Sequence, residues 1–144
     1  KLIEVKTTVT NIQKINTSST NQIAPVFDKR LDLVFLQMKK SSSGISLNGI
    51  IDEYINKLKI ESANLHNDFL LKLTQCRYLD MHKDEYMEKY SVDKTNYYKI
   101  SDDFPYIKKV EVPLEISDLS ITYKIDLEKC ESFRIMEDEF LKNI

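Results

Sequence analysis

Period-two alternation opens the chain. From Leu2 to Thr10, Ile3, Val5, Thr7 and Val9 fall on one side and Glu4, Lys6, Thr8 and Thr10 on the other, the pattern of a half-buried β-strand. Asn11 to Thr17 continues as a short strand. Ser18, Ser19 and Thr20 then offer N-caps for a helix carrying Gln22, Ile23, Val26 and Phe27, in which Pro25 fits only the first turn. Leu31 to Met38 is almost continuously apolar, as a strand covered on both faces would be, and runs into Lys39, Lys40 and a serine-rich turn at 41–43.

From Ser46 the period changes to three and four. Leu47, Ile50, Ile51, Tyr54, Ile55 and Leu58 form the stripe of an amphipathic helix capped by Ser46. Glu61 to Leu79 repeats the stripe through Leu65, Phe69, Leu73 and Cys76. Beyond Asp80 the chain is polar and rich in Tyr. Strands follow at 97–100, 107–112 and 121–127, with turns at Ser101-Asp102-Asp103 and Ser117-Asp118. Glu131 to Ile144 closes with a short helix through Phe133, Met136, Phe140 and Leu141. The sum is an α/β fold: a small mixed sheet holding 2–10 and 31–38, two helices, then an antiparallel β segment. Tyr78, Leu79, Phe104, Tyr123 and Leu127 are expected to pack the last strands against the helix at 61–79.

Composition narrows the function. The 144 residues, 42% hydrophobic and 31% charged, suit one globular domain with a modest core. Twenty-one Lys plus Arg against 23 Asp plus Glu leave a net charge of -2, so a nucleic acid partner would have to be met by a local patch. No apolar run approaches the roughly 20 residues of a membrane span, and no secretory signal is visible. Cys76 and Cys130 stand far apart without metal-ligand spacing, which argues against a zinc site or a disulfide framework. Both are expected as buried thiols of a cytosolic protein. The chain has no initiating Met and begins already inside a strand at Lys1-Leu2-Ile3, as a piece of a longer protein would.

Glu4-Val5-Lys6 is the sharpest site candidate. An acid-x-Lys triplet is expected about three times by chance in this composition, so its presence alone carries little weight. Its context carries more: alternation sets both charges on one face of a strand. Such a pair suits Mg²⁺-assisted phosphodiester hydrolysis, with Glu4 and the Val5 carbonyl as oxygen ligands and Lys6 orienting or activating water. The competing reading is a solvated outer strand face. Asp80 and His82 have a spacing that could ligate a metal or merely anchor a loop, and His66 reads as a helix surface or boundary residue. Tyr86, Tyr90, Tyr97, Tyr98 and Tyr106 are interleaved with Lys83, Lys89, Lys94, Lys99, Lys108 and Lys109. They could clasp nucleic acid, or form half-buried sheet faces with lysines outside. Acyl transfer and NTP hydrolysis have no motif here.

Ile3-Glu4-Val5-Lys6-Thr7-Thr8, the polar stretch to Gln22 and the strand from Leu31 resemble the second half of the catalytic motif of PD-(D/E)XK nucleases of the restriction-endonuclease-like fold. Tyr78-Leu79-Asp80-Met81-His82, Tyr90-Ser91-Val92, Tyr97-Tyr98-Lys99-Ile100, Asp103-Phe104-Pro105 and Tyr123-Lys124-Ile125-Asp126-Leu127, with Cys130 and Phe133, resemble the tail of the bacterial PD-(D/E)XK motif proteins. The resemblance implies a partial restriction-endonuclease-like core in residues 1–43, a mixed sheet with flanking helices truncated at its N-terminus. A helical and β-meander region at 44–144 would pack on it. It implies a cytoplasmic, Mg²⁺-dependent DNA endonuclease subunit of a bacterial restriction or phage-defence system, with DNA and other subunits of that system as partners. Glu4 and Lys6 match the motif, and Gln22 is carried over as a third catalytic residue. The first acid of the motif, an Asp on the preceding strand, has no position here, so the 144 residues alone are expected to lack half the metal site and to be inactive. The alternative is a non-catalytic DNA- or protein-binding assembly module in which 46–144 dock a partner and the Glu4 strand is a structural edge.

Overall fold

Two strands of opposite character lie side by side at the start of the fold. β1 (Leu2–Thr8) pairs in parallel with β3 (Leu31–Ser46), Leu2 opposite Leu31 through Thr8 opposite Gln37. The computed structural model describes residues 1–25, 29–117 and 120–143. A four-stranded sheet runs in the order β1-β3-β4-β6, where β4 is Lys89–Ile100 and β6 is Arg134–Ile135, antiparallel to β4. A separate antiparallel pair joins β2 (Lys14–Thr17) to β5 (Tyr123–Asp126). The helices are α1 (Leu47–Glu61), α2 (Ala63–Gln75) and α3 (Glu137–Leu141). The protein is thus α/β with a mixed sheet, as the change of period foretells.

The chain divides into two compact units, residues 1–38 with 92–144 and residues 39–91. β4 carries the chain back, so that the tail from Val92 groups with the first strands. The first unit owns a core of Ile15, Ile23, Leu31, Leu33, Phe35, Tyr98, Ile100, Phe104, Ile125, Leu127 and Cys130, with Tyr106, Tyr123 and Phe133 packed against it. Each large side chain fully buried there contributes about 1.5–3 kcal/mol. Fully buried Asp32 is held by Lys1 Nζ at 3.0 Å and Arg30 Nε at 2.9 Å. Lys1 also lies 4.1 Å from the centre of the Phe140 ring, tying β1 to α3.

The second unit is built from local signals. Ser46 caps α1 by accepting the Gly49 N–H, and Ser62 caps α2 by accepting the Leu65 N–H. α2 ends on a Schellman motif: Tyr78 N–H reaches the Leu73 carbonyl, Arg77 N–H reaches that of Thr74, and Arg77 takes a positive φ of 61°. The hairpin of helices closes through Tyr54 and Phe69, rings 6.1 Å apart. Tyr78 stacks on Tyr86 and donates its hydroxyl to Asn48 at 2.8 Å.

Several expectations are corrected. β3 does not turn at 41–43 but continues to Ser46, because its polar end lies against β4: a Cβ on Gly44 would stand 2.3 Å from the Tyr90 carbonyl oxygen. A lone glycine within a strand marks such close backbone approach. Residues 107–112 form no strand; a 3₁₀ turn at Lys109–Glu111 is closed by the Lys108 N–H on Glu111 Oε2, a local bond that competes with a ladder. Residues 20–23 form a turn, with Pro25 disfavouring helical geometry just before it. The expected continuation of that helix through Val26 and Phe27 lies outside the described residues, as do Asp118 of the expected turn and Ile144. The closing helix is broken into a 3₁₀ turn at Glu131–Phe133, β6 and α3, because Phe140 packs on Tyr97 at 4.6 Å while Met136 stays exposed. α2 contributes no buried residue, and Phe104, Tyr123 and Leu127 pack in the core of the first unit. Cys76, at the end of α2, is exposed; only Cys130 is buried.

Candidate active site

Parallel pairing sets Glu4 opposite Leu33 and Lys6 opposite Phe35, so both charged side chains share a face with core residues of β3. That face is the covered one. The Lys6 and Glu4 side chains are only 18% and 25% exposed, whereas Ile3 and Val5, on the other face, are 44% and 53% exposed. A strand whose charges turn inward and whose aliphatics turn outward is the reverse of a solvated outer face, and it demands partners for those charges.

The partners are present. Lys6 Nζ stands 3.2 Å from Glu4 Oε1, and Gln22 Nε2 donates to the same oxygen at 3.0 Å. Gln22 is fixed in turn, since its Oε1 accepts the Ser18 N–H at 2.9 Å and its neighbouring hydroxyl at 3.4 Å. Ser18 follows directly on β2, so the loop after that strand delivers an amide to the acid of β1. The three residues singled out as catalytic in the sequence therefore meet around one carboxylate oxygen. Ser18, which holds the third, was foreseen only as a cap; its side chain instead shares the glutamine with its own backbone N–H.

The oxygen donors suit a hard cation. Leu2 gives its N–H to the Arg30 carbonyl on the β3 side, so by alternation the carbonyl of Val5 points to the side of β1 away from β3. β1 ends the sheet, which leaves that carbonyl on an unpaired edge among the described residues. Glu4 and Val5 thus offer two oxygens, and Mg²⁺ keeps waters and is commonly held by one or two carboxylates plus substrate phosphates. Among the described residues no cluster of three or more His, Cys, Asp or Glu comes together.

The other candidates have structural roles. Asp80 bonds Lys83 at 3.1 Å with its carboxylate 88% exposed, and His82 gives its N–H to the Leu79 carbonyl, a loop anchor. His66 takes part in the first turn of α2 through its backbone. The tyrosines do not line up as a nucleic acid clasp: Tyr98 is fully buried, Tyr97 stacks on Phe140 and donates to Glu137 at 3.1 Å, and Tyr90 donates to Glu88 at 2.6 Å. Burial raises the Tyr98 and Tyr97 phenols above their ordinary range, and for Tyr90 the bond to Glu88 does most of this. Burial likewise pushes the Cys130 thiol up, Asp126 adding to the effect.

A mixed sheet that presents an acid-x-Lys strand beside a parallel neighbour, buried from Leu31 to Phe35, is consistent with a partial nuclease-like core. The family model described as "Putative PD-(D/E)XK family member, (DUF4420)" matches residues 1–128, and the chain belongs to that family. No curated protein and no solved structure matches the chain. Family membership suggests a nuclease-like function, and nucleases of this kind generally use divalent metals. No helix among the described residues is long and apolar enough to cross a membrane.

Proposed function

We propose that Glu4, Lys6 and Gln22 form part of the active site of a Mg²⁺-dependent DNA endonuclease. The observation that carries this reading is the convergence of Lys6 and Gln22, from β1 and from 18 residues along the chain, on Glu4 Oε1 within the covered face of an edge strand. Glu4 and the Val5 carbonyl would hold Mg²⁺, which when bound supplies Lewis-acid polarisation of the phosphate and a more acidic water. Lys6 Nζ orients the attacking water and stabilises charge gathering on the phosphate oxygens. Gln22 is a positioning residue: its amide holds the carboxylate in one rotamer. The family resemblance supports a place in a cytoplasmic bacterial restriction or phage-defence system, with further subunits of that system as partners.

The test is nicking of supercoiled plasmid by the intact protein, with Mg²⁺ and with chelator. Glu4→Ala and Lys6→Ala each lower the nicking rate by roughly a hundredfold or more while far-UV circular dichroism keeps the folded signature and the melting temperature falls only a little. Undiminished nicking by Glu4→Ala removes the catalytic assignment. The exposed apolar residues of α1 and α2, such as Leu47, Tyr54 and Leu71, would then favour an assembly module.

A further inference from the structure

A cleft of about 430 Å³ opens in the first unit between the segment after Phe104 and the β5 strand. Its volume falls in the range, roughly 300–1,000 Å³, that takes small organic groups. Pro105, Tyr106, Tyr123 and Lys124 line it, with Lys129 and Cys130 beyond β5. Two different chemistries meet there. The rings of Pro105, Tyr106 and Tyr123 give flat apolar surface on which a base can stack. Lys124 and Lys129 are exposed, and neither ammonium enters an ion pair among the described residues. The one acid of the lining, Asp126, already accepts the Glu128 N–H at 3.3 Å, so the lining keeps a positive balance. Cys130 gives its thiol to the Asp126 carbonyl and is fully buried, which makes it part of the wall and not a nucleophile.

A relay of bonds joins the cleft's Tyr123 to the Glu4 cluster. Tyr123 pairs with Thr17, whose hydroxyl donates to the Tyr123 carbonyl at 3.0 Å. The next residue, Ser18, holds Gln22, and Gln22 holds Glu4.

We propose that this cleft receives one unpaired nucleotide of the DNA strand, its base between Tyr106 and Tyr123 and its phosphates on Lys124 and Lys129. The proposal rests on DNA as the substrate but not on Glu4 as a catalyst. Base stacking on an aromatic ring and pairing of phosphates with free lysines are both sequence-tolerant, so the cleft selects for an unstacked nucleotide and not for a base identity.

Fluorescence anisotropy of the intact protein, in chelator, with a fluorescein-labelled single-stranded DNA oligonucleotide and with the duplex of the same sequence, tests this. The single strand binds more tightly than the duplex. Lys124→Glu with Lys129→Glu, both at exposed positions that folding does not need, weakens the single strand by tenfold or more. Tyr106→Ala weakens it by roughly fivefold to a hundredfold, with the melting temperature recorded beside it. Equal binding of the single strand by wild type and the lysine variant overturns the proposal. So does a loss confined to the lysine variant with a folded Tyr106→Ala binding normally, since that is phosphate contact without a base pocket. The anisotropy is read on the cleft variants alone and plasmid nicking on the Glu4 and Lys6 variants alone, so failure of the cleft appears in anisotropy and failure of the nuclease reading in nicking.

Discussion

Of the fourteen buried hydrophobic side chains among the described residues, thirteen belong to residues 1–38 and 92–144 and one, Ile51, belongs to residues 39–91. The first unit is held by side chains from distant parts of the sequence packed around β3 and β4. The second is held by what is near in sequence: two serine caps, a Schellman motif, an aromatic contact between consecutive helices, and the Lys40, Glu88 and Tyr90 side chains bonded in a row. Local opening costs little where few apolar contacts must be broken, so the units should differ in how readily each exposes its interior. The candidate catalytic strand belongs to the unit with the core, as a site requiring fixed geometry needs.

The two cysteines give that difference its largest readout, one in each unit. Cys76 is exposed, while Cys130 is fully buried with its thiol on the Asp126 carbonyl and raised in pKa by burial. A thiol-specific disulfide reagent at neutral pH modifies one thiol per chain at once and the second only as the first unit opens, slower by roughly three orders of magnitude or more. Mass spectrometry of the modified peptide identifies which is which. Rapid modification of Cys130 would mean that the first unit opens as easily as the second.

Next in size is core truncation. Leu127 is fully buried, and Leu127→Ala is expected to lower unfolding stability by about 2–5 kcal/mol. Leu71 on α2 is 57% exposed, and Leu71→Ala should change it by no more than about 0.5 kcal/mol. Urea unfolding monitored by far-UV circular dichroism measures both. Similar losses at the two positions would show that Leu71 is covered in solution and would erase the contrast between the units.

The same division explains what could be read from the sequence. Elements governed by near neighbours were legible: the alternation of β1, the stripe and cap of α1, and the turn at Ser101, where Phe104 N–H meets the Ser101 carbonyl. Elements decided by long-range partners were not. Nothing local in Lys39-Lys40-Ser41-Ser42-Ser43 shows that β4 will extend the ladder over them, although Gly44 was a hint. Val110 is apolar yet 90% exposed, so the apolar pattern of 107–112 promised a strand that does not form there. For the site, the shared face of Glu4 and Lys6 follows from a period of two, but the face they share with Leu33 and Phe35 depends on the register with β3. Gln22 was chosen for its place in a motif; its bond to Glu4 comes from a turn where a helix was expected. Asp32, an acid set in an apolar run, was passed over, and its buried pairing with Lys1 and Arg30 requires residues that only folding brings together.

A smaller effect tests the local ties of the second unit. Gly44 lies so close to β4 that an added Cβ would meet backbone at Tyr90, which has no side-chain freedom with which to yield. Gly44→Ala should cost about 1–3 kcal/mol through displacement of the strands. Amide hydrogen exchange should report faster exchange over 40–46 and 88–91 than over 31–35. Unchanged protection at both strand ends would mean that they do not lie as close as described.

The smallest expected effect is pH-dependent and separates the units by their charges. Glu88 accepts from Lys40 and from Tyr90, and these bonds, Lys40's first, hold its carboxyl below the usual carboxylate range while raising Lys40 above the usual amine range. A carboxyl whose folded pKa is depressed binds its proton more weakly in the folded state, so its contribution is complete above the unfolded value, about 4.3, and is lost as pH falls through the folded one. Lys40 works in the opposite sense: its raised folded pKa keeps its contribution complete below the unfolded value, about 10.4, and loses it as pH rises through the folded one. All three groups face solvent, so screening keeps the effect slight and added salt should reduce it further. Titration of the Glu88 carboxyl carbon by NMR should give a midpoint below the value of about 4.3 that an unstructured glutamate shows. Amide exchange at 88–91 should quicken as the pH is lowered toward 3, after correction for intrinsic exchange, while exchange at 31–35 holds. In Glu88→Gln that extra acid sensitivity disappears. A Glu88 midpoint at the value of about 4.3 of an unstructured glutamate would mean that Lys40 and Tyr90 do not hold it in solution, leaving the second unit with its caps, its helix contact and Ile51.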